Sequence, residues 1–102
     1  MKDVRKPISR LGDSRDRLRQ FSEAARRDAG YQLSLIQAGR PATDWKPIPL
    51  VGPGVIEIRV HAETGYRVFY LAKFEEAVYV LHAFVKKSQK SSSLDIALGR
   101  KR

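Results

Sequence analysis

The stretch that most constrains the fold runs from residue 54 to 90 and contains three predicted β-strands followed by a basic segment. In Val55–His61, apolar residues alternate with charged ones, and a period of two is the pattern of a half-buried strand. Short polar segments separate this strand from Tyr66–Ala72 and Ala77–Val85, which suits hairpin connections. The last strand is apolar on both faces, so we expect it in the interior of the sheet, covered on both sides.

Two helices are predicted before this sheet. Asp13 or Ser14 can cap a short first helix that runs through Gln20. Ser22 is a favourable N-cap for a longer second helix, and Gly39 is suited to end it in a left-handed C′ position. The apolar residues of the second helix recur at spacings of four, four and three, which predicts one buried ridge: Ala25, Ala29, Leu33 and Ile36.

The remaining segments have less regular patterns. Residues 1–11 are short and basic, and they suit either an edge strand or an extended arm. Residues 39–54 hold four of the five prolines, which predicts an ordered crossing loop rather than a strand or helix. Trp45 in this loop is interpreted as an anchor to the core, in preference to a platform for stacking on bases. The serines at 91–93 can cap a short C-terminal helix whose inward residues are predicted to be Leu94, Ala97 and Leu98.

Size and charge limit the classes of function. At 102 residues the chain is expected to form a single domain, residues 1–102. The formal net charge of +9 indicates a polyanionic partner, with nucleic acid favoured over an acidic protein or an anionic membrane surface. No apolar run reaches the roughly 18 residues of a membrane span, so we expect a cytoplasmic protein without a membrane partner. The absence of cysteine excludes disulfide and thiolate chemistry, and with only two histidines we expect neither a metal site nor a small-molecule cofactor.

Cationic side chains are the candidates for binding phosphate, because guanidinium and ammonium groups match phosphate oxygens. They stand on the predicted strands, directly after the last strand, and on the proline-rich segment, where a following proline holds the backbone extended. In chain order they are Lys46, Arg59, Arg67, Lys86, Lys87 and Lys90.

Three candidate residues have a structural alternative. His82 could serve as a general acid or base, but alternation places it on one face with Val80 and Phe84, where a histidine is often a satisfied core residue. Arg67 either faces phosphate or pairs with Glu57 on the adjoining strand, because sequence does not fix the hairpin register. Tyr70 either stacks on RNA bases or packs within the sheet.

The chain contains four longer motifs in a recognisable order and spacing: GDSRDRLRQFSEAARRDAGYQLSLIQAG, DWKPIPLVGPGVIEIRV, YRVFYLAKF and AVYVLHAFVKKSQK. Together they resemble the phage-derived, HigB-like branch of the RelE/ParE type II toxin superfamily, over roughly residues 7–98. The sequence departs from that family at Ser22, where proline is frequent, and at Gly99, where the family's terminal helix usually continues without a glycine.

The resemblance implies an α+β, RelE-like fold. It would contain an antiparallel sheet of three to four strands, two N-terminal helices packed on one face and a short C-terminal helix. It also implies the toxin component of a type II toxin–antitoxin system, held inactive by a helix-turn-helix antitoxin. HigB and RelE relatives cut mRNA in the ribosomal A site, whereas ParE relatives inhibit DNA gyrase. We expect a ribosome-dependent, metal-independent RNA endonuclease, with a gyrase inhibitor or an inactive prophage-derived nucleic-acid-binding module as alternatives.

Roles for the candidates follow from this expectation. Arg67 stands at the family's tyrosine–arginine position and would neutralise charge on the phosphorane. Lys86 and Lys87 would bind the backbone or stabilise the leaving oxygen, and His82 would move protons. The residues assigned to RNA binding are Lys46, Arg59, Tyr70 and Lys90.

Overall fold

A computed structural model describes residues 6–62, 65–72, 76–86 and 93–101. The strands of these parts form one sheet in the order β1-β5-β4-β3-β2, with β1 parallel to β5 and the other neighbours antiparallel. In chain order the elements are β1 (Ile8–Arg10), α1 (Ser14–Arg19), α2 (Glu23–Gln37), β2 (Trp45–Pro47), β3 (Ile56–His61), β4 (Gly65–Leu71), β5 (Val78–Lys86) and α3 (Ser93–Lys101).

Two short edge strands distinguish this sheet from the expected one. The prediction of three to four strands, all antiparallel, is wrong: the described sheet has five strands and is mixed. β1 forms in the N-terminal segment, and the Val78 N–H donates to the Pro7 carbonyl at 2.9 Å beside it. β2 lies in the segment that was predicted to be only a loop. It accommodates Pro47 because an edge strand can leave one side of its backbone without a strand partner.

The long helix α2 has the predicted ends and the predicted buried ridge. The Ser22 hydroxyl accepts a hydrogen bond from the Ala25 N–H at 3.2 Å, which satisfies one free donor of the first turn. Gly39 adopts a φ of 79°, and the Arg40 N–H then reaches back to the Leu35 carbonyl at 2.8 Å. The ridge residues Ala25, Ala29, Leu33 and Ile36 are all buried.

The sheet separates two apolar cores. The first contains side chains of α2 and Leu18 of α1, together with Ile58, Val68 and Val80 from the sheet. The second contains Ile96 of α3 and the side chains Ile48, Val51, Val55, Phe69, Leu81 and Phe84. Fully burying one such side chain contributes about 1.5–3 kcal/mol, so both faces of the sheet stabilise the fold. β5 contributes to both cores, which confirms it as an interior strand.

Helix α3 approaches the sheet through a glycine. Gly99 is buried and Leu98 is half-buried, whereas Leu94 and Ala97 are exposed, so the predicted inward face of this helix is wrong at Leu94 and Ala97. A Cβ at position 99 would lie 2.8 Å from Phe69 Cδ2 and 3.0 Å from Val51 Cγ1. The glycine therefore permits the close contact between α3 and the second core.

A register shift between β4 and β5 determines which side chains of β5 reach each core. Phe69 pairs with His82, and the next pair skips Leu81 to reach Val80, so Leu81 is the extra residue of a β-bulge. His82 consequently lies beside Phe69 and Phe84, while Val80 belongs to the first core. The predicted common face of His82 and Val80 is therefore wrong.

Candidate functional site

Several cations surround one buried carboxylate on the face of the sheet that carries the second core. Glu57 of β3 is fully buried. Its Oε1 atom lies 3.5 Å from Arg67 Nε, 3.8 Å from Lys46 Nζ and 4.0 Å from Arg59 Nε. Lys86 of β5 is close enough for all four of these residues to act on its charge. We call Lys46, Glu57, Arg59, Arg67 and Lys86 the cationic cluster.

Cross-strand register assembles the cluster. Arg59 and Arg67 are direct partners in β3 and β4, and Lys46 of β2 is the partner of Glu57. Two like charges placed opposite each other destabilise a sheet. Glu57 lies two residues before Arg59 on the same face and provides the compensating negative charge.

Arg67 is the most enclosed of the three cations that lie within 4.0 Å of Glu57, with 10% of its side chain exposed. Burial lowers the pKa of Arg67; Glu57 opposes this shift, and the charge of Arg59 adds to it. Arginine nevertheless stays protonated in proteins. Its Nη1 donates to the Tyr66 carbonyl at 3.0 Å, and the described contacts leave other N–H donors for an anion. Arg67 thus pairs with Glu57, as one interpretation predicted, and also retains capacity for phosphate.

The Lys86 ammonium group has a lowered pKa. Burial lowers the pKa of Lys86 first, and the charge of Arg67 lowers it further, against the opposing effect of Glu57. A lysine with a lowered pKa releases its proton more readily and is a better general acid near neutral pH. The four cations and one carboxylate give the cluster a formal charge of +3.

The absence of a side chain at Gly65 makes room for the Arg67 guanidinium. His61, Gly65 and Lys86 form one cross-strand row through β3, β4 and β5. A Cβ on Gly65 would lie 3.4 Å from Arg67 Nη1 and 3.7 Å from Lys86 Cβ, so the guanidinium lies over the missing side chain. Because neighbouring strands are about 4.8 Å apart, the backbones of His61 and Lys86 stand about 10 Å apart on either side of it. We call this place the Gly65 notch.

An exposed histidine and a carboxylate stand at the edge of the notch. His61 Nε2 hydrogen-bonds Asp44 Oδ2, and 70% of the histidine side chain is exposed. The backbone of Asp44 is held in place because its N–H donates to Gln32 Oε1 at 3.4 Å and its carbonyl accepts from the Arg59 N–H at 2.8 Å. The sequence reasoning missed this pair, although the alternation of β3 had placed His61 on the face of Arg59.

Half of the predicted site residues meet in the cationic cluster: Lys46, Arg59, Arg67 and Lys86. Tyr70 is buried in the first core, on the opposite side of the sheet, so the structure does not bring it to the cluster. Lys87 and Lys90 lie outside the described residues. Trp45 is about half-exposed on β2, so its interpretation as a core anchor is wrong.

His82 is a fully buried residue that connects α3 to the sheet. Its Nε2 lies 2.8 Å from Asp95 Oδ1, and its ring stacks on Phe84 with centroids 5.2 Å apart. A side chain with no exposed area cannot touch a substrate in this arrangement. The geometry corresponds to the core interpretation of His82.

The helix arginines lie elsewhere on the molecule. Arg17 of α1 pairs with Asp13 four residues earlier at 2.8 Å, and both side chains are partly exposed. A cavity of about 350 Å³ between β1, α1 and α2 is lined by Arg10, Arg15, Arg19 and Arg26 over an apolar floor. It lies on the side of the sheet that carries the first core, away from the cationic cluster.

Residues 16–102 match the model of the family described as Phage derived protein Gp49-like (DUF891). The chain belongs to this family. The matched range includes the whole cationic cluster, the Gly65 notch and the His61–Asp44 pair. The Gp49-like family is associated with toxin-like proteins of the RelE kind.

No protein among the curated sequences matches this Gp49-like chain. Within the described residues, none of the helices has both the length and the apolar character needed to cross a bilayer.

Proposed function

We propose that this Gp49-like protein is the toxin of a type II toxin–antitoxin system, of the HigB-like branch, and that it cuts mRNA on the ribosome without a metal. The observation that carries the proposal is the cationic cluster, which holds guanidinium and ammonium groups on rigid strands around a notch. The family match supports the toxin class. The partners are ribosome-bound mRNA in the cytoplasm and a helix-turn-helix antitoxin that inhibits the toxin.

The proposed reaction is an internal transesterification of RNA. The ribose 2′-oxygen attacks the adjacent phosphorus, and the bond from phosphorus to the 5′-oxygen breaks. The products are a 2′,3′-cyclic phosphate upstream and a 5′-hydroxyl downstream. Negative charge increases on the phosphate oxygens during the step, so fixed donors aimed at them lower the barrier.

The positions of the cations suggest separate roles. Arg67 is held on the central strand by Glu57 and Tyr66, and it presents its donors at the notch, where it binds the reacting phosphate. Lys86 stands at the other end of the row and stabilises the leaving 5′-oxygen. Lys46 and Arg59 are more exposed and bind neighbouring phosphates of the strand.

Expression of the protein in bacteria without its antitoxin tests the proposed target. Incorporation of labelled amino acids should fall before incorporation of labelled thymidine, because translation is the target. An Arg67→Ala variant expressed to the same level should lose most of this effect. A fall in replication first, with induction of the DNA-damage response, would instead assign the protein to gyrase inhibition. Normal growth with the wild-type protein would favour the inactive, prophage-derived module.

A further inference from the structure

The proposed reaction requires a group that accepts the proton of the ribose 2′-hydroxyl. Arginine cannot fill this role because it does not give up its own proton in proteins. Of the two histidines of the chain, His82 is sealed in the second core and His61 is exposed. Histidine is the side chain whose ordinary titration lies nearest neutral pH, which suits proton transfer.

His61 is oriented by a fixed acceptor. A carboxylate can only accept a hydrogen bond, so His61 Nε2 donates to Asp44 Oδ2. The other ring nitrogen, Nδ1, then carries the lone pair when the ring is neutral. Asp44 is itself held by Gln32 and by the Arg59 backbone, so the hydrogen bond directs the ring from a fixed position.

His61 and Lys86 stand at opposite ends of the row that contains the Gly65 notch. A phosphate bound to Arg67 at the notch would have the histidine on one side and the ammonium on the other. In-line displacement at phosphorus needs this arrangement, because the attacking and leaving oxygens lie on opposite sides of the phosphorus.

We infer that His61, positioned by Asp44, is the general base of RNA cleavage and that Lys86 is the general acid across the Gly65 notch. This inference rests on the proposed function. The 2′-hydroxyl proton passes to His61 Nδ1 as the 2′-oxygen bonds to phosphorus. The bond from phosphorus to the 5′-oxygen breaks, and that oxygen takes a proton from Lys86 Nζ. One proton is accepted and one is given, so exchange with water restores both residues.

Charged groups of both signs share the face of the sheet that carries His61. The surrounding charged groups come from β2 and the residue before it, from β3, from β4 and from β5: Asp44, Lys46, Glu57, Arg59, Arg67 and Lys86. Of these groups, Asp44 hydrogen-bonds the ring directly and holds it in place for proton transfer.

Single-turnover cleavage of ribosome-bound mRNA by His61→Gln tests the inference. Glutamine can still donate to Asp44 but cannot accept the proton, so the rate should fall by about 100-fold or more, with ribosome binding unchanged. Asp44→Asn should cause a smaller loss of rate, because it disturbs the ring's tautomer without removing the base.

A substrate with sulfur in place of the leaving 5′-oxygen separates the base from the acid. Sulfur leaves without being protonated, so this substrate should restore cleavage by Lys86→Ala and not by His61→Gln. Restoration of His61→Gln would overturn the assignment of His61 as the base. Wild-type rates for His61→Gln on normal mRNA would overturn the inference and leave the proposed function standing. Failure of the wild-type protein to cleave would overturn both.

Discussion

Replacing Glu57 by glutamine removes the only carboxylate of the cationic cluster while keeping the shape of its side chain. In the wild-type protein Glu57 is fully buried and has three cations within 4.0 Å. After the change, the largely buried Arg67 faces Arg59 and Lys86 with only the weaker influence of Asp44 to oppose their charge. We therefore expect the fold to be destabilised.

The size of the effect follows from the burial of each pair. Lys46 and Arg59 have 46% and 36% of their side chains exposed, and exposed pairs contribute about 0–1 kcal/mol each. Removing one partner of a buried pair costs about 3–5 kcal/mol, and the pair of Glu57 with Arg67 is of this kind. We expect a loss of about 3 kcal/mol, the low end, because Arg67 keeps its hydrogen bond to the Tyr66 carbonyl.

Urea denaturation followed by the fluorescence of Trp45 measures this loss. Glu23→Gln is the matched control, because Glu23 pairs with Arg27 at 2.7 Å while 71% and 79% of their side chains are exposed. The control should lose only about 0.3–0.5 kcal/mol. In the double variant Glu57→Gln/Arg67→Met, part of the loss should disappear, with a coupling of about 2 kcal/mol. A loss for Glu57→Gln no larger than that of the control would show that Glu57 and Arg67 do not form a stabilising buried pair.

Three further predictions concern packing, the notch and pH. Gly99→Ala should lower the free energy of unfolding by roughly 1–3 kcal/mol, because its Cβ would stand 2.8 Å from Phe69 Cδ2. Gly30→Ala, whose Cβ would have no atom within 4 Å, should instead raise the free energy of unfolding by about 1 kcal/mol. Urea titrations compare the two variants, and equal effects would contradict the packing role of Gly99. Gly65→Ala places a methyl group 3.4 Å from Arg67 Nη1 and should slow RNA cleavage with little change in melting temperature; an unchanged rate would show that substrate does not enter the notch. By NMR titration, Lys86 should have a pKa below 10.5 that rises in Arg67→Met. Between the lowered pKa and 10.5, the folded protein binds fewer protons than the unfolded chain, so its stability relative to Lys86→Met should rise with pH in that range. A Lys86 pKa that does not change in Arg67→Met would contradict the influence of Arg67 on Lys86.

The features that sequence predicted well are local ones. The N-cap at Ser22, the ridge of α2 and the left-handed Gly39 each depend on residues within a few positions of one another. Strand periodicity likewise located β3, β4 and β5, because β-branched residues and alternation are properties of each segment by itself.

The features that sequence did not predict depend on contacts between distant segments. Strands of three residues, such as β1 and β2, are too short to show a period, and they form because longer neighbours offer free edges. Alternation places Glu57 on the polar face of β3, yet it is buried because cations from other strands compensate its charge. The bulge at Leu81 moves His82 to the other face, and no residue in β5 marks its position.

End mapping of mRNA in a reconstituted translation reaction tests whether this protein cuts mRNA and whether the cationic cluster performs the cleavage. The wild-type protein should produce cuts with 2′,3′-cyclic phosphate and 5′-hydroxyl ends. Arg67→Ala and Lys86→Ala should slow cleavage by about 100-fold, since a donor aimed at the developing charge contributes about 3 kcal/mol. Arg19→Ala and Arg26→Ala remove the same charge from the opposite side of the sheet and should stay within about twofold of wild type, because distant exposed charges are screened. Intact mRNA with the wild-type protein would contradict RNA cleavage, and an equal loss of rate in both sets of variants would contradict the cationic cluster as its site.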